Sequence, residues 1–198
     1  MDFNAMISRG LRAARLDVTL YNEVEADASL NREALTVVII AALLTFAGSL
    51  IGALFSSVIG SALGATTTFF GLLVAAVFVA VWTVIGYYVW SYLTWFIGTR
   101  FFGGTAEPGE LMRTIGYAYA PQWLNVLNFI PCVGAILSIV VSIWSLVAGI
   151  IAIREALDFD TGKAVITAII GWLVIFVIGL IITGIFGVGM LGLSALTS

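Results

Sequence analysis

The chain has 198 residues, of which 62% are hydrophobic and only 10% are charged. Soluble proteins carry about 25% charged residues, so this composition excludes an ordinary soluble domain and indicates an integral membrane protein. The formal net charge of −3 gives no reason to expect a nucleic-acid partner.

The first predicted element is an amphipathic helix inside a cytoplasmic segment, residues 1–33. Helical spacing places five apolar residues on one face: Phe3, Ile7, Leu11, Ala14 and Val18. Three arginines lie around the other side: Arg9, Arg12 and Arg15. A basic amphipathic helix is typical of the headgroup region of an anionic inner leaflet. The alternative is that this helix packs on the protein's own loops.

Five segments lack ionisable side chains and are long enough to cross a bilayer, which takes roughly 20 apolar residues. They predict transmembrane helices at residues 34–55, 66–97, 114–130, 133–153 and 164–191. The third is short and contains Pro121. The expected fold is therefore all-α and polytopic, with five transmembrane helices, 34–191, after the amphipathic helix and a short outer tail, residues 192–198.

The basic residues fix an orientation for this arrangement, because Lys and Arg near the ends of spans tend to stay cytoplasmic. With the N-terminus inside, all eight basic residues fall on the cytoplasmic side, and so does every acidic residue. We therefore expect a multi-pass protein of the cell membrane whose C-terminus lies outside. Its mixed-charge inner face is the place to expect a cytoplasmic protein partner.

The third and fourth predicted helices carry polar stripes. At 100° per residue, one face of the third helix holds Thr114, Tyr117, Pro121, Asn125 and Asn128. The fourth presents Ser138, Ser142 and Ser145. Because proline has no N–H, the carbonyl of Tyr117 needs another partner. Two interpretations stay open: the stripes satisfy each other, or they line a water-filled path.

Four charged residues lie at the inner ends of the same helices: Arg113, Arg154, Glu155 and Asp158. Arg154 and Asp158 are four apart, so they could pair on a helix surface. Glu155 could then reach Arg113 across the hairpin. The carboxylates could in principle bind a divalent cation, but the basic neighbours compete for their oxygens, so we expect no metal.

Small residues recur at every fourth position in the first predicted helix: Gly48, Gly52, Ser56, Gly60 and Gly64. Such a ridge lets helix backbones approach closely. It predicts either packing within one chain or the interface of a homo-oligomer. The lipid bilayer is the other expected partner.

The residues of common enzyme sites are missing. The chain has no histidine and one cysteine, Cys132, which excludes imidazole or multi-thiolate metal sites and the usual nucleophile–base pairs. We expect neither catalytic residues nor a cofactor.

Three stretches carry a resemblance to a known family: VEADASLNREAL at 24–35, LMRTIGYAYAP at 111–121 and IREALDFDTGKA at 153–164. With these, the chain resembles a bacterial or archaeal member of the Yip family, the Ypt/Rab-interacting proteins, over about residues 20 to 190. The resemblance implies five transmembrane helices and a cytoplasmic N-terminus.

Eukaryotic Yip proteins bind prenylated Rab-type GTPases and coat components in traffic between endoplasmic reticulum and Golgi. Here the region before the first span is residues 1–33, without an Asp-Leu-Tyr-Gly-Pro segment, so Rab binding is not carried over. The matching positions, none with a catalytic role, are Arg113, Gly116, Tyr117, Pro121, Arg154, Glu155 and Asp158.

The function expected from these observations is a non-enzymatic scaffold that organises the membrane or recruits a partner. The alternative is a small transporter or channel for a neutral or amphipathic solute, lipids included. An ion path would usually show a charge inside the membrane, and the predicted spans contain none.

Overall fold

The computed structural model describes residues 2–62, 69–130 and 133–197, with the backbone alone at 56, 59–62, 183 and 185–197. Within these ranges the regular structure is helical. The described α-helices are α1 Phe3–Ala14, α2 Val18–Ala26, α3 Asn31–Ala62, α4 Phe69–Phe102, α5 Pro108–Ala118, α6 Val133–Ala156 and α7 Thr161–Thr197. Two 3₁₀ helices, Ala28–Leu30 and Ala120–Phe129, precede α3 and follow α5.

In the described part of the chain, four helices are long and apolar enough to cross a membrane. The qualifying stretches are Ala28–Phe55, Phe69–Phe102, Val133–Ala156 and Thr161–Ile182. They overlap the first, second, fourth and fifth predicted spans. Many large apolar side chains on α4, α6 and α7 are exposed, which suits contact with lipid.

Some predicted boundaries lie outside the described residues, and one differs from the structure. The turn expected at Pro131–Cys132 lies outside the described residues, as does the start of the second predicted span, 66–68. α7 continues as helix to Thr197, so it runs into the segment 192–198 that we expected to be an outer tail.

Residues 114–130 do not form the single α-helix that the periodicity suggested. α5 ends at Ala118, and the chain continues as the 3₁₀ helix Ala120–Phe129. The change begins at Tyr119, whose amide donates to the carbonyl of Gly116 at 3.3 Å, three residues back. Pro121 explains the change, because it lacks the N–H that would bond Tyr117 and its ring would clash with that carbonyl. This segment is therefore not among the four helices that qualify as spans.

The long 3₁₀ helix packs along α3 through glycines. A Cβ atom added at Gly48 would lie 2.4 Å from the carbonyl oxygen of Asn125, and one at Gly52 would lie 3.2 Å from the Cα of Phe129. At these two positions the small-residue ridge therefore packs within the chain. Its later members, Ser56, Gly60 and Gly64, fall outside the side chains that the structure describes.

The main core lies where the N-terminal helices meet the ends of α3, α5 and α6 that carry charged residues. Met6, Leu20, Tyr21, Val37, Leu111, Ile115 and Ile153 are fully buried there. These residues come from both the N-terminal segment and the membrane helices. The N-terminal segment is thus part of the folded domain and not a separate tail.

The close approach at Gly48 predicts that Gly48→Ala destabilises the protein. The added methyl group would meet backbone atoms that cannot move aside, and overpacking of this kind costs about 1–3 kcal/mol. The matched control is Gly86→Ala in α4, where a Cβ atom meets nothing within 4 Å. That change should be neutral or stabilising by up to about 1 kcal/mol through helix propensity. Unfolding of both variants in detergent, followed by circular dichroism, measures the difference; equal midpoints would contradict the packing argument.

Candidate functional site: the charged end and the cavity above it

α1 packs on the membrane helices with a face that overlaps the predicted apolar face only in part, since Ile7 and Ala14 lie partly buried against the core. Met6, Gly10 and Ala13 are buried, whereas Phe3 and Leu11, members of the predicted apolar face, are 59% and 50% exposed. Gly10 sits against Trp123, since a Cβ atom there would lie 2.5 Å from the indole ring. Packing on the protein therefore uses one face of α1 and leaves two large apolar side chains exposed.

Two tryptophan side chains form hydrogen bonds around the packed α1 helix. Trp144 of α6 donates from Nε1 to the carbonyl of Ala14 at 2.8 Å, which satisfies one of the free carbonyls at the end of α1. Trp123 donates to the carbonyl of Val37 in α3 at 3.2 Å. The indole side chains thereby tie α1, the 3₁₀ helix and α3 together.

A buried carboxylate connects the N-terminal segment to the polar stripe. Glu33, 6% exposed, accepts a hydrogen bond from the Tyr117 hydroxyl and lies 2.7 Å from Nη1 of Arg9. The bond to Glu33 raises the pKa of Arg9 above its ordinary value. A buried charge is tolerated when it is paired and hydrogen-bonded, which is the case for Glu33.

Arg12 extends this network outward. Its guanidinium pairs with Glu23 and with Asp17, each at 2.8 Å. Bonds to Thr19 and then to Arg12 lower the pKa of Asp17 to about 2. We call Arg9, Arg12, Glu23, Glu33 and Tyr117 the docking network. Arg15, the third predicted interface arginine, is exposed and lies outside it.

We expected Arg113 to pair with Glu155, but the structure shows other partners for Arg113. Its guanidinium donates to the carbonyls of Val24 (3.1 Å) and Glu25, and to Oδ1 of Asn31 (3.2 Å). These carbonyls belong to the last turn of α2, where helical partners are missing and a positive charge is favoured. Arg113 of α5 therefore acts as the C-terminal cap of α2.

The predicted pair of Arg154 and Asp158 is also wrong. Arg154 bonds Glu155, the next residue, with Nε at 2.6 Å from Oε1. Asp158 has a φ of 53°, a left-handed conformation that follows the end of α6 at Ala156. The helix stops before the fourth residue, so the helical spacing on which the pair depended does not exist.

Acidic residues gather around the end of α2. Burial and, after it, the nearby charges of Glu110, Asp158 and Glu155 together raise the pKa of Glu25 to about 7, while Arg113 opposes the change. Glu25 is therefore partly protonated near neutral pH. Among the described residues, no group of three or more acidic or cysteine side chains is arranged to hold a metal ion.

A cavity of about 160 Å³ lies deeper in the bundle. Its polar lining includes Trp90, Tyr119, Gln122, Ser142 and Ser145. The Nε1 atom of Trp90 and the Oγ atom of Ser145 are buried without a hydrogen-bond partner. Of the two predicted stripes, only Ser142 and Ser145 border this space, and part of the hydrogen-bonding capacity of its lining is unused.

The remaining stripe residues are satisfied locally or turned elsewhere. Ser138 donates to Ala135 in its own helix at 2.8 Å, and Thr114 bonds the carbonyl of Glu110. Nδ2 of Asn128 is 3.5 Å from Oδ1 of Asn125 in the same 3₁₀ helix, and Oδ1 of Asn128 is buried without a partner. The bonds between the two stripes that we considered are not formed by these side chains.

Sequence reasoning missed one polar cavity residue of the 3₁₀ helix, Gln122. Side chains repeat every third residue in a 3₁₀ helix, so Gln122 is in line with Asn125 and Asn128. A 100° projection hides that alignment. Pro121 was the available signal, because it indicated where the α-helical repeat would fail.

The geometry defines an all-helical, multi-pass membrane protein with a docked N-terminal segment and a partly polar interior. Residues 19–183 match the Yip1 domain, and the chain therefore belongs to that family. Members of the family are in general non-enzymatic membrane proteins. No curated protein and no solved structure matches the chain at a significant level.

The raised pKa of Glu25 predicts a stability that falls as the pH rises. Between its ordinary value of 4.5 and about 7, the folded protein binds more protons at Glu25 than the unfolded chain does, so stability is lost over that interval. Glu25→Gln should unfold at a higher temperature than the wild type at pH 8 and show no such advantage at pH 4.

The control for this experiment is Glu23→Gln. Arg12 lowers the pKa of Glu23, so its contribution is present at neutral pH and lost in acid. This variant should be less stable than the wild type at pH 8, the opposite sign. Thermal unfolding from pH 4 to pH 8 measures both; parallel curves for Glu25→Gln and the wild type would count against a protonated Glu25.

Proposed function

We propose that this Yip1-domain protein is a non-enzymatic scaffold that crosses the membrane five times and presents its charged end to the cytoplasm. The fifth crossing would be α5 with the long 3₁₀ helix. After Arg113, the five residues 114–118 of α5 and the 10 residues of the 3₁₀ helix correspond to about 8 Å and about 20 Å, close to a hydrocarbon core of about 30 Å. The segregation of basic residues supports the N-terminus inside and a place in the cell membrane.

The observation that carries the scaffold role is the docking network. Buried pairing of Glu33 with Arg9 and Tyr117 holds α1 and α2 in place, so the outward surface is organised before any partner arrives. A preorganised surface loses less conformational entropy on binding. We propose a cytoplasmic protein as the partner of this surface.

The same surface suits the bilayer. Phe3 and Leu11 are exposed apolar side chains close in sequence to the exposed Arg15. This combination favours the headgroup region of an anionic leaflet. Homo-oligomerisation stays a proposal with reduced support, because Gly48 and Gly52 are used inside the chain.

The proposed topology predicts that native Cys132 is labelled by a membrane-impermeant thiol reagent only from outside the cell. Without a crossing at 114–130, Cys132 would lie on the same side as Arg113 and react from the cytoplasmic side. A Cys132→Ser chain carrying Thr105→Cys, an exposed position before α5, should show the reverse labelling. The same side for both cysteines would contradict five crossings.

The scaffold role predicts a defined cross-linking partner at Arg15. A photoreactive benzoylphenylalanine placed there in living cells should give one discrete protein adduct, and the same residue at the half-exposed Tyr92 of α4 should not. Glu33→Gln should lower the yield severalfold, because it breaks the buried pair that docks α1. An adduct unaffected by Glu33→Gln would contradict the role of the docked segment, and adducts with lipid alone would assign the surface to the bilayer.

A second candidate function is transport of a neutral or amphipathic solute. The unpartnered polar atoms of Trp90 and Ser145 favour it, because they offer hydrogen bonds inside the membrane. The thiol experiment above tests this candidate with one more position, Ser142→Cys in the Cys132→Ser chain. Rapid labelling there from either side would indicate a water-filled path, and protection would favour the scaffold.

A further inference from the structure

The cavity between α4, α6 and α7 reaches toward the middle of the membrane. Trp90 is ten residues before Arg100 in α4, and Ser145 is nine residues before Arg154 in α6. At 1.5 Å per residue these separations correspond to about 14–15 Å, whereas Ala118 and Tyr119 of the same lining follow Arg113 by only five and six residues, about 8–9 Å. The cavity therefore begins below the charged end and reaches toward the middle of a hydrocarbon core of about 30 Å. Lipid headgroups do not normally reach this depth.

The two unpartnered groups in the cavity are hydrogen-bonding but uncharged. Trp90 is 7% exposed and Ser145 is 8% exposed, so neither is satisfied by bulk water. An indole N–H only donates, whereas a hydroxyl donates and accepts. A carbonyl or hydroxyl oxygen that enters the cavity finds a donor in each of the two groups. The described lining contains no charged side chain, which disfavours an ionised ligand at this depth.

An apolar groove of about 290 Å³ between α4 and α7 adjoins the cavity. Trp172 and Ile175 line both spaces. The walls are flat: Phe78 stacks with Trp82 at a centroid distance of 6.3 Å, and Trp172 stacks with Phe176 at 5.4 Å. Trp172 is 41% exposed, so the site is open toward the bilayer. A partly polar cavity therefore lies next to an aromatic groove.

We propose that cavity and groove together bind one uncharged amphipathic lipid from the bilayer, with a hydroxyl or carbonyl group on a long apolar body. Its oxygen bonds Nε1 of Trp90 and Oγ of Ser145. Its apolar body lies between the Trp82 and Trp172 faces. Water alone fits the cavity, but the groove offers it only the indole N–H groups of Trp82 and Trp172. A charged phospholipid headgroup finds no counter-charge among the lining residues. This inference is independent of the proposed scaffold role.

The test uses the full chain in phosphatidylcholine nanodiscs with a photoreactive, alkyne-tagged long-chain alcohol. Cross-links mapped by mass spectrometry should fall on the Phe78–Trp82 and Trp172–Phe176 segments, and unlabelled alcohol should compete for them. A phosphatidylcholine probe with the same photoreactive chain should label lipid-facing surfaces broadly and without saturation. Alcohol labelling that does not saturate, or that matches the phosphatidylcholine pattern, would overturn the proposal.

Two matched pairs of variants report independently on the polar and apolar halves of the site. Ser145→Ala removes one hydrogen bond and should weaken competition by the alcohol about fivefold, whereas Ser138→Ala, whose hydroxyl bonds its own helix, should not. A Cβ atom added at Gly179 would lie 3.6 Å from the ring of Trp82, so Gly179→Leu should fill the groove and abolish saturable labelling. Gly184→Leu, in open space on the same helix, should leave labelling unchanged. Unchanged affinity in both Ser145→Ala and Gly179→Leu would mean that the cavity holds only water.

Discussion

The missing N–H of Pro121 shapes the middle of this protein. An α-helix cannot continue through it, and the chain instead runs as a 3₁₀ helix over Ala120–Phe129, longer than such helices usually are. A slender 3₁₀ helix fits against α3 only where side chains are absent, which is the place of Gly48 and Gly52. Its threefold repeat also turns Gln122 toward α6 and opens the cavity. One proline thereby links the packing of α3 with the polarity of the interior.

A second constraint acts at the charged end, where Glu33 and Arg113 are each 6% exposed. Buried charges are costly unless every one is paired. Glu33 is satisfied by α1, through Arg9, and by α5, through Tyr117; Arg113 is satisfied by α2 and by Asn31. Moving α1 and α2 away would separate Glu33 from Arg9, and Arg113 from the carbonyls of Val24 and Glu25. The N-terminal segment and the membrane helices are therefore coupled in stability, although the composition of that segment alone is typical of a soluble extension.

Composition and charge were enough to predict the class of protein and four of the spans, because lipid demands long apolar helices whatever their packing. The family was predicted from three short motifs. The partners of the charged residues were not predictable in the same way. Arg113 bonds backbone carbonyls, which every residue possesses and no motif reveals. The prediction that Arg154 pairs with Asp158 was wrong because it assumed helical spacing. The helix ends at Ala156, and Asp158 has a left-handed backbone conformation. The polar stripe failed for the same reason beyond Pro121, while Tyr117, still within α5, does lie at a buried polar contact.

The indole of Trp144 bonds the carbonyl of Ala14 across 130 residues of chain. During synthesis α1 leaves the ribosome before Trp123 and Trp144, the indoles that it contacts, which appear more than a hundred residues later. At translation rates of about 5–20 residues per second, α1 waits for several seconds to tens of seconds. Its apolar side chains lack these contacts throughout that interval, and the nearby bilayer surface is the natural place for them. α1 is thus made well before the residues that fix its final position.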